Sequence, residues 1–307
     1  MARRVLVTGA SGFIGRRLLP ALIGAGLEVV APVRNAQRPS AGVAFVNAQS
    51  IETIDWGLLL RGVDAIIHLA GIAHTRDHSE EAYDRVNAEA TLRLAKACEG
   101  RVSSFVFVSS IRAISGPTAA EILDEESSAR PTDAYGRSKL KAEAGLALVL
   151  SRAIVLRPVV VYGQGVKGNL ARLLRLADGS LPLPFGALRA PRSFLSLDNL
   201  VSAILFCMER TGAGTHAFAV ADPQPSCVAD LVAGLRQGLG RPARLLRVPP
   251  SLLGAAARIA GLSGAAELLS GPLAVRPRRL LEAGWSPPIA TSFDGARLWG
   301  ESERAAR

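Results

Sequence analysis

The chain has 307 residues, 49% of them hydrophobic, and a formal net charge of +10 at pH 7. This length and hydrophobic content predict a folded protein with a sizeable core, large enough for two domains. The charge comes mostly from arginines scattered along predicted helix faces with few aromatic neighbours, which does not indicate a nucleic-acid-binding surface.

The cysteines and histidines do not indicate a metal site. Cys98, Cys207 and Cys227 are widely spaced, odd in number and set in apolar segments, which predicts reduced thiols in a cytoplasmic protein. The histidines show no ligand spacing. We therefore expect neither disulfides nor a bound metal.

The first predicted element is an apolar strand, Arg4 to Val7, that runs into a glycine-rich turn before a helix over 13–25. Glycines in such a turn let the backbone bend tightly and approach a pyrophosphate, while the helix N-terminus faces its charge. The turn therefore predicts a dinucleotide-binding site made by Gly9, Ser11, Gly12, Phe13, Ile14 and Gly15.

The residue that follows the second predicted strand, Glu28 to Val33, indicates whether NADP or NAD binds. A carboxylate after this strand would accept hydrogen bonds from the adenosine ribose of NAD, whereas an arginine would pair with the 2′-phosphate of NADP. Here Val33 is followed by Arg34, and the segment offers no acid. The sequence favours NADP(H) and leaves NAD possible. Alternatively, Arg34 is an ordinary exposed arginine that does not contact the cofactor.

Further apolar runs alternate with helix-length segments. Ala65 to Leu69, Phe105 to Val108 and Ala153 to Leu156 are predicted strands, and helices are predicted over 79–99 and 134–150. This alternation is typical of an α/β fold with a Rossmann-type, doubly wound parallel sheet. Proline and glycine become dense between 158 and 191, where we place the main domain junction.

Ser109 and Ser110 end the strand at 105–108, at the sheet edge where open α/β folds bind ligands. Tyr135 and Lys139 lie four residues apart on a predicted helix and so share a face. There an ammonium can lower the phenol pKa and make the tyrosine a usable acid or base.

A later segment, 245–271, is strongly apolar, but it is interrupted by Arg247, Pro249, Pro250, Arg258 and Glu267. No uncharged run approaches the length of a membrane span, so no transmembrane segment is expected. The segment could form an amphipathic contact surface.

Together, the glycine turn and Tyr135-Gly136-Arg137-Ser138-Lys139 resemble the extended short-chain dehydrogenases/reductases, a superfamily of nucleotide-sugar epimerases, dehydratases and reductases. The likeness runs from residue 4 to about 220. It implies that Tyr135 exchanges a proton with substrate and that Lys139 binds the nicotinamide ribose. Ser110, or alternatively Ser109, would position the substrate oxygen. The likeness also implies further cofactor contacts from Leu69, Ala70, Gly71, Asn87 and Pro158.

The resemblance also implies a division of the chain. Residues 1–163, rejoined by 192–221, would bind NADP(H), and 164–191 with 222–307 would form a smaller C-terminal α/β lobe for a nucleotide sugar. Asn169 could alternatively be a helix cap, and Arg192 a surface ion-pair residue. The implied substrate contacts are His74, Ser109, Ser110, Asn169, Leu183, Phe185 and Arg192.

Short stretches, including Ser109 to Ala113, resemble bacterial UDP-4-keto-6-deoxy-N-acetylhexosamine reductases, which make sugars for surface polysaccharide and are often labelled UDP-glucose 4-epimerase. Ile111-Arg112 replaces the Asp-Glu pair of the dehydratases, so 4,6-dehydration is not expected. The leading hypothesis is an NADPH-dependent 4-keto reductase. Alternatives are a UDP-hexose 4-epimerase with bound NAD and a non-catalytic dinucleotide-binding protein. The resemblance also implies a homodimer through the helices at 79–99 and 134–150.

Overall fold

The computed structural model describes residues 3–35, 40–72, 78–210, 214–259 and 271–307. The chain forms two compact units. The first comprises Met1–Gly116, Ser128–Pro158 and Val201–Phe218, and the second comprises Pro117–Ser127, Val159–Leu200 and Ala219–Arg307.

A seven-stranded sheet carries the first unit, with its strands in the order β3-β2-β1-β4-β5-β6-β9. The pairs from β3 through to β6 are parallel. Central strands are apolar throughout because a parallel sheet is covered on both faces, as in β1, where Val5, Leu6 and Val7 are fully buried. The strands are β1 Arg4–Thr8, β2 Glu28–Val33, β3 Val43–Asn47, β4 Ala65–His68, β5 Ser104–Val108, β6 Arg152–Pro158 and β9 Gly214–Val220.

Helices connect these strands. One of them changes from α-helical to π-helical hydrogen bonding over Asp84–Glu89, between α3 and α4. A short 3-10 turn, Ile111–Ala113, follows β5. The helices are α1 Phe13–Gly24, α2 Trp56–Leu59, α3 Glu80–Tyr83, α4 Ala90–Cys98 and α5 Ala134–Val149.

The second unit contains a two-stranded parallel sheet, β7 Val160–Tyr162 with β8 Phe194–Ser196. Its core includes Leu173, Phe194, Leu235 and Trp299. The helices that follow in the chain are α6 Gly168–Asp178, α7 Leu197–Met208, α8 Val228–Gly238, α9 Pro250–Ile259, α10 Arg278–Glu282 and α11 Ser292–Ala305.

The parallel α/β architecture predicted from the sequence is confirmed, and the predicted strands lie within one residue or two of the observed ones. The bounds of the two units differ from those expected. Residues 117–127 belong to the second unit, where Leu123 forms a bridge with Val275. Residues 192–200 also belong there, because β8 pairs with β7 and not with the large sheet.

In the described parts of the chain, no helix combines the length and apolarity needed to cross a membrane. The same residues contain no group of three histidine, cysteine or acidic side chains placed to hold a metal ion. All three cysteines are buried free thiols.

Candidate cofactor cavity and active site

The glycine turn between β1 and α1 is closely packed. Gly9 has a φ of +72°, and a Cβ there would lie 2.8 Å from the backbone nitrogen of Ala70. A Cβ at Gly15 would lie 2.4 Å from the carbonyl oxygen of Ala10. Gly12 caps α1 without a side-chain hydrogen bond. The turn therefore presents bare backbone at a helix N-terminus, which suits a pyrophosphate.

A cavity of about 330 Å³ opens over this turn in the first unit. It is lined by half of the residues that the sequence assigned to the cofactor. Phe13, Ile14 and Gly15, which begin α1, are not among its lining residues, and neither are Asn87, Tyr135, Lys139 and Pro158. The predicted residues in the lining are Gly9, Ser11, Gly12, Arg34, Leu69, Ala70 and Gly71.

The same cavity has a polar end. Gln49 lines it. Ser50 and Glu52 also line it. The Ser50 hydroxyl donates to Glu52 at 3.0 Å, and Arg85 pairs with the same carboxylate at 2.5 Å. No sequence signal identified Glu52, because it lies in an irregular loop after β3.

The proposed catalytic side chains meet at the start of α5. Asp133 caps this helix by accepting a hydrogen bond from the backbone of Gly136 at 2.7 Å, and it also pairs with Arg112. A Cβ on Gly136 would lie 2.3 Å from the carbonyl oxygen of Arg112. This close approach of α5 to the turn after β5 brings Ser110 into hydrogen-bond contact with the Tyr135 phenol.

The protonation of Tyr135 differs from the expectation that Lys139 would lower its pKa. Burial raises the pKa of the Tyr135 phenol, while the hydrogen bond from Ser110 and the charge of Arg112 oppose this shift. Lys139 instead donates to the carbonyl of Val108 at 3.2 Å. Burial lowers the pKa of Lys139 to about 8. In the free protein Tyr135 is therefore a protonated acid at neutral pH.

Asn87 lies in the π-helical turn and is fully buried. Its side chain exchanges hydrogen bonds with both backbone groups of Ile72, at 2.9 and 3.1 Å, and donates to the Ser138 hydroxyl at 3.1 Å. A Cβ on Gly71 would lie 2.7 Å from the Asn87 Oδ1. Asn87 thus joins the Gly71 edge of the cavity to the helix that carries Tyr135.

A buried hydrogen-bond chain centred on His68 supports this arrangement. Thr91 donates to the carbonyl of Asn87 at 2.7 Å, so its hydroxyl must accept from His68 Nε2 at 2.8 Å. His68 Nδ1 then accepts from Thr8 at 2.6 Å, and Thr8 accepts from the backbone of Ala70. Burial lowers the pKa of His68 to about 3, so it is neutral. It is a packed strand histidine and not an acid or base.

Ser109 has a different role from the substrate contact considered for it. Its hydroxyl donates to the buried carboxylate of Glu143 at 2.5 Å. Arg157 pairs with the same carboxylate at 2.6 Å. Because Glu143 lies one turn beyond Lys139 on α5, the cluster fixes the end of β5 to that helix. Of the two serines, Ser110 is the one that contacts Tyr135.

The predicted substrate residues of the second unit lie in different local environments. Asn169 is the second residue of α6 and does not cap it, because the N-cap is Lys167 and no side chain caps there. Leu183 is buried in the core, with its backbone bridged to Leu245, and Phe185 packs partly against the same core. His74 lies outside the described residues.

Arg192 is not the surface ion-pair residue considered as an alternative. It is 3% exposed, and its guanidinium donates to the carbonyls of Gly271 at 2.9 Å and Pro117 at 3.1 Å. To bind a diphosphate, this guanidinium would have to share its hydrogen bonds with these carbonyls or give them up.

The chain is similar to several known proteins. A UDP-glucose 4-epimerase of Vibrio cholerae is 33% identical over 301 residues, covering 94% of this chain and 92% of that protein. A structure of MoeE5 in complex with UDP-glucose and NAD has a TM-score of 0.78 at 23% identity, covering 99% of this chain and 100% of that one. A structure of the human epimerase family protein SDR39U1 (isoform 2) with NADPH has a TM-score of 0.75 at 23% identity, covering 97% and 99%.

The two structural likenesses confirm the fold predicted from the sequence. The profile of the NAD dependent epimerase/dehydratase family matches residues 5–221, which contain the glycine turn, Ser110, Tyr135 and Lys139. With the identity to the Vibrio protein, this match confirms the predicted resemblance: the chain belongs to the NAD dependent epimerase/dehydratase family and is an NAD(P)-dependent enzyme.

Proposed function

We propose that the protein reduces the 4-keto group of a UDP-linked 6-deoxy-N-acetylhexosamine with NADPH, in the synthesis of sugars for surface polysaccharide. The observation that carries this proposal is Arg34, which lines the cofactor cavity directly after β2, where the chain has no acid. An arginine there suits a 2′-phosphate. Glu52 in the same lining is already paired with Arg85, so its charge is balanced.

The cavity fits a pyridine dinucleotide. Its bare glycine backbone would hold the pyrophosphate, Arg34 the adenosine end, and the Leu69–Gly71 edge the nicotinamide side. When bound, the nicotinamide supplies or accepts a hydride, which no side chain of the protein can do.

The protein's own contribution is proton transfer. Since burial raises the pKa of Tyr135, the phenol holds its proton at neutral pH and is ready to give it to the oxygen of a carbonyl as that oxygen gains charge. Ser110, which already contacts the phenol, would orient that oxygen. Lys139, with a pKa of about 8, is largely protonated at neutral pH and would bind the ribose. A protonated tyrosine is the form that the reduction of a carbonyl requires.

The substrate assignment draws on the family. MoeE5 binds UDP-glucose, and we propose that Asn169, Leu183, Phe185 and Arg192 contact the UDP of the substrate here. Elimination of water is not favoured, because the position of the dehydratase acid is held by Arg112, which pairs with Asp133.

A UDP-hexose 4-epimerase is the second candidate. It is favoured by the 33% identity to the Vibrio enzyme over nearly the whole chain. An epimerase must keep its cofactor through an oxidation and a reduction, whereas a reductase exchanges it at every turnover. A non-catalytic role is the remote third candidate, and the presence of Ser110, Tyr135 and Lys139 together argues against it.

The experiment is to offer NADPH or NADH with a panel of UDP-4-keto sugars and to follow the absorbance of the reduced nicotinamide. The proposal predicts consumption of NADPH with a 6-deoxy-N-acetyl substrate. The cofactor recovered from denatured purified protein provides the discriminating control, since tightly held NAD with interconversion of UDP-glucose and UDP-galactose would establish the epimerase instead.

The proposed enzyme is a homodimer joined through α3, α4 and α5. Leu148 on α5 is 89% exposed, which is consistent with a contact surface on that helix.

A further inference from the structure

Helix α9 exposes an apolar stripe. No residue of this helix is buried, although Leu253 packs partly against the core of the second unit. Leu252 is 61% exposed and Ile259 is 89% exposed, and Ala256 between them is also exposed. The spacing of these three residues places them on one face of the helix. This face points away from the core of its own unit.

Arginines are the charged residues of the segment that contains the stripe. The segment 241–259 contains Arg241, Arg244, Arg247 and Arg258 and no acidic residue. All four are exposed. An exposed apolar helix face in a segment whose charged residues are arginines is typical of helices that lie in the interface of a membrane.

We propose that this surface, formed by Leu252, Ala256 and Ile259 with Arg244, Arg247 and Arg258, docks on an anionic lipid bilayer. The apolar side chains enter the boundary between headgroups and acyl chains, and the arginines extend to lipid phosphates. Arg241 is left out of the surface because it lies 3.5 Å from Asp178 in an ion pair. The proposal does not depend on the reductase activity.

A second copy of the chain fits this surface less well than a bilayer. Two copies placed face to face would bring arginines against arginines. Three exposed apolar side chains also offer far less area than the roughly 800 Å² that each partner buries in a stable complex. Charge complementarity therefore favours a negatively charged lipid surface.

The expected effect is strongly dependent on salt and lipid charge. One arginine near an anionic surface contributes about 1 kcal/mol, or about fivefold in binding. Three of them give on the order of a hundredfold preference for anionic over neutral vesicles, which salt screens.

The test is flotation of the full chain with vesicles of phosphatidylglycerol and phosphatidylcholine in equal parts, and with vesicles of phosphatidylcholine alone. We expect the protein to float with the anionic vesicles at low salt, at least about tenfold less with the neutral ones, and to be released by high salt.

Variants locate the surface. The double variant Leu252→Ser/Ile259→Ser and the double variant Arg244→Glu/Arg247→Glu should each lose binding by at least about tenfold. The matched controls are Leu58→Ser, at a leucine that is 59% exposed on α2 in the first unit, and Arg101→Glu, at an exposed arginine. Both should bind like the wild type.

The wild-type salt and lipid comparison needs no variant, so a variant that fails to fold does not weaken the test. Absence of flotation at low salt, equal binding to neutral vesicles, or equal loss in the controls would overturn the proposal. A self-association abolished by Leu252→Ser/Ile259→Ser, without vesicle binding, would assign the surface to a second copy instead.

Discussion

The side chain of Lys139 is 5% exposed, and its ammonium lies 4.8 Å from the centroid of the Phe107 ring. Burial lowers the pKa of this group to about 8 in the folded chain, below its ordinary value in the unfolded chain. Between those two values the unfolded chain binds more protons, so the free energy of unfolding rises with pH there. At pH 7 Lys139 is protonated in both the folded and the unfolded chain. The unfavourable free energy of burying its charge therefore lowers the stability of the folded protein in full.

Replacing Lys139 by methionine should therefore raise the free energy of unfolding at pH 7, by on the order of 1 kcal/mol after loss of its hydrogen bond to Val108. The gain should shrink as pH rises above about 8, and activity should be lost. Urea denaturation at several pH values measures this. Lys96→Met, at an exposed lysine, should show neither effect. A Lys139→Met protein less stable than wild type at pH 7 would contradict the account.

Arg34 is the second residue whose charge can be tested directly. If it pairs with a 2′-phosphate, Arg34→Asp should weaken NADPH binding by about tenfold or more, because a charge-assisted hydrogen bond is lost and a like charge is placed beside the phosphate. NADH binding should change far less. Titration of both cofactors by quenching of protein fluorescence compares them, and equal weakening of both would remove Arg34 as the determinant.

The site residues that the sequence predicted belong to short local motifs. Tyr135, Lys139 and the glycine turn were all visible because their chemistry depends on nearby neighbours in the chain. Glu143 and Arg157 were missed because their pairing joins a helix to a strand through one carboxylate, which no local spacing indicates. Glu125 was missed for a similar reason: it is 8% exposed and accepts a hydrogen bond from the backbone of Ala219, far away in the chain.

Among the elements, the contact of α5 with the turn after β5 controls the active-site geometry. A methyl group on Gly136 would lie 2.3 Å from a backbone oxygen that cannot move away cheaply. Gly136→Ala should therefore push α5 outward, lengthen the contact between Tyr135 and Ser110, and lower kcat by about tenfold to a hundredfold. Cofactor affinity should stay close to wild type, because the glycine turn is untouched.

Kinetics and cofactor titration of Gly136→Ala separate these two effects. The matched control is Gly24→Ala, at the exposed end of α1 where an added Cβ meets nothing within 4 Å. It should leave kcat unchanged and raise stability slightly, since alanine favours the helix by up to about 1 kcal/mol. Full activity in Gly136→Ala would show that this close contact does not set the catalytic geometry.

The second unit is organised by one buried carboxylate. Asp222 is 1% exposed and accepts hydrogen bonds from the backbone of Ser196 and from the side chains of Asn199, Tyr162 and Ser292, all at 2.8 or 2.9 Å. These donors come from β7, β8, α7 and α11. Burial raises the pKa of Asp222, and its donors oppose the shift.

Asp222→Ala should lower the free energy of unfolding by about 3 kcal/mol, because it leaves several buried donors without an acceptor. Asp230→Ala provides the control: this carboxylate is 44% exposed in its pair with Arg189, and its loss should cost less than about 1 kcal/mol. Urea denaturation compares the two. A similar small loss in both variants would mean that the four donors find other partners.

At the scale of the whole molecule, the sequence predicted the α/β class and five of the seven strands of the large sheet, because buried parallel strands are continuous apolar runs. It did not predict that 117–127 belongs to the second unit, since that segment is joined there by contacts with residues far away in the chain, such as the bridge of Leu123 with Val275. Long-range pairing of short segments leaves no periodic signal in the sequence.

The most direct test of the central claim follows one hydride. NADPH carrying deuterium at its transferable position is incubated with a UDP-4-keto-6-deoxy-N-acetylhexosamine, and the product sugar is analysed by mass spectrometry and NMR. The account predicts deuterium bound at C4 of the sugar, with one NADPH consumed for each product formed and no incorporation in Tyr135→Phe. A product without deuterium, or NADPH left unconsumed while a UDP-hexose is epimerised, would contradict it.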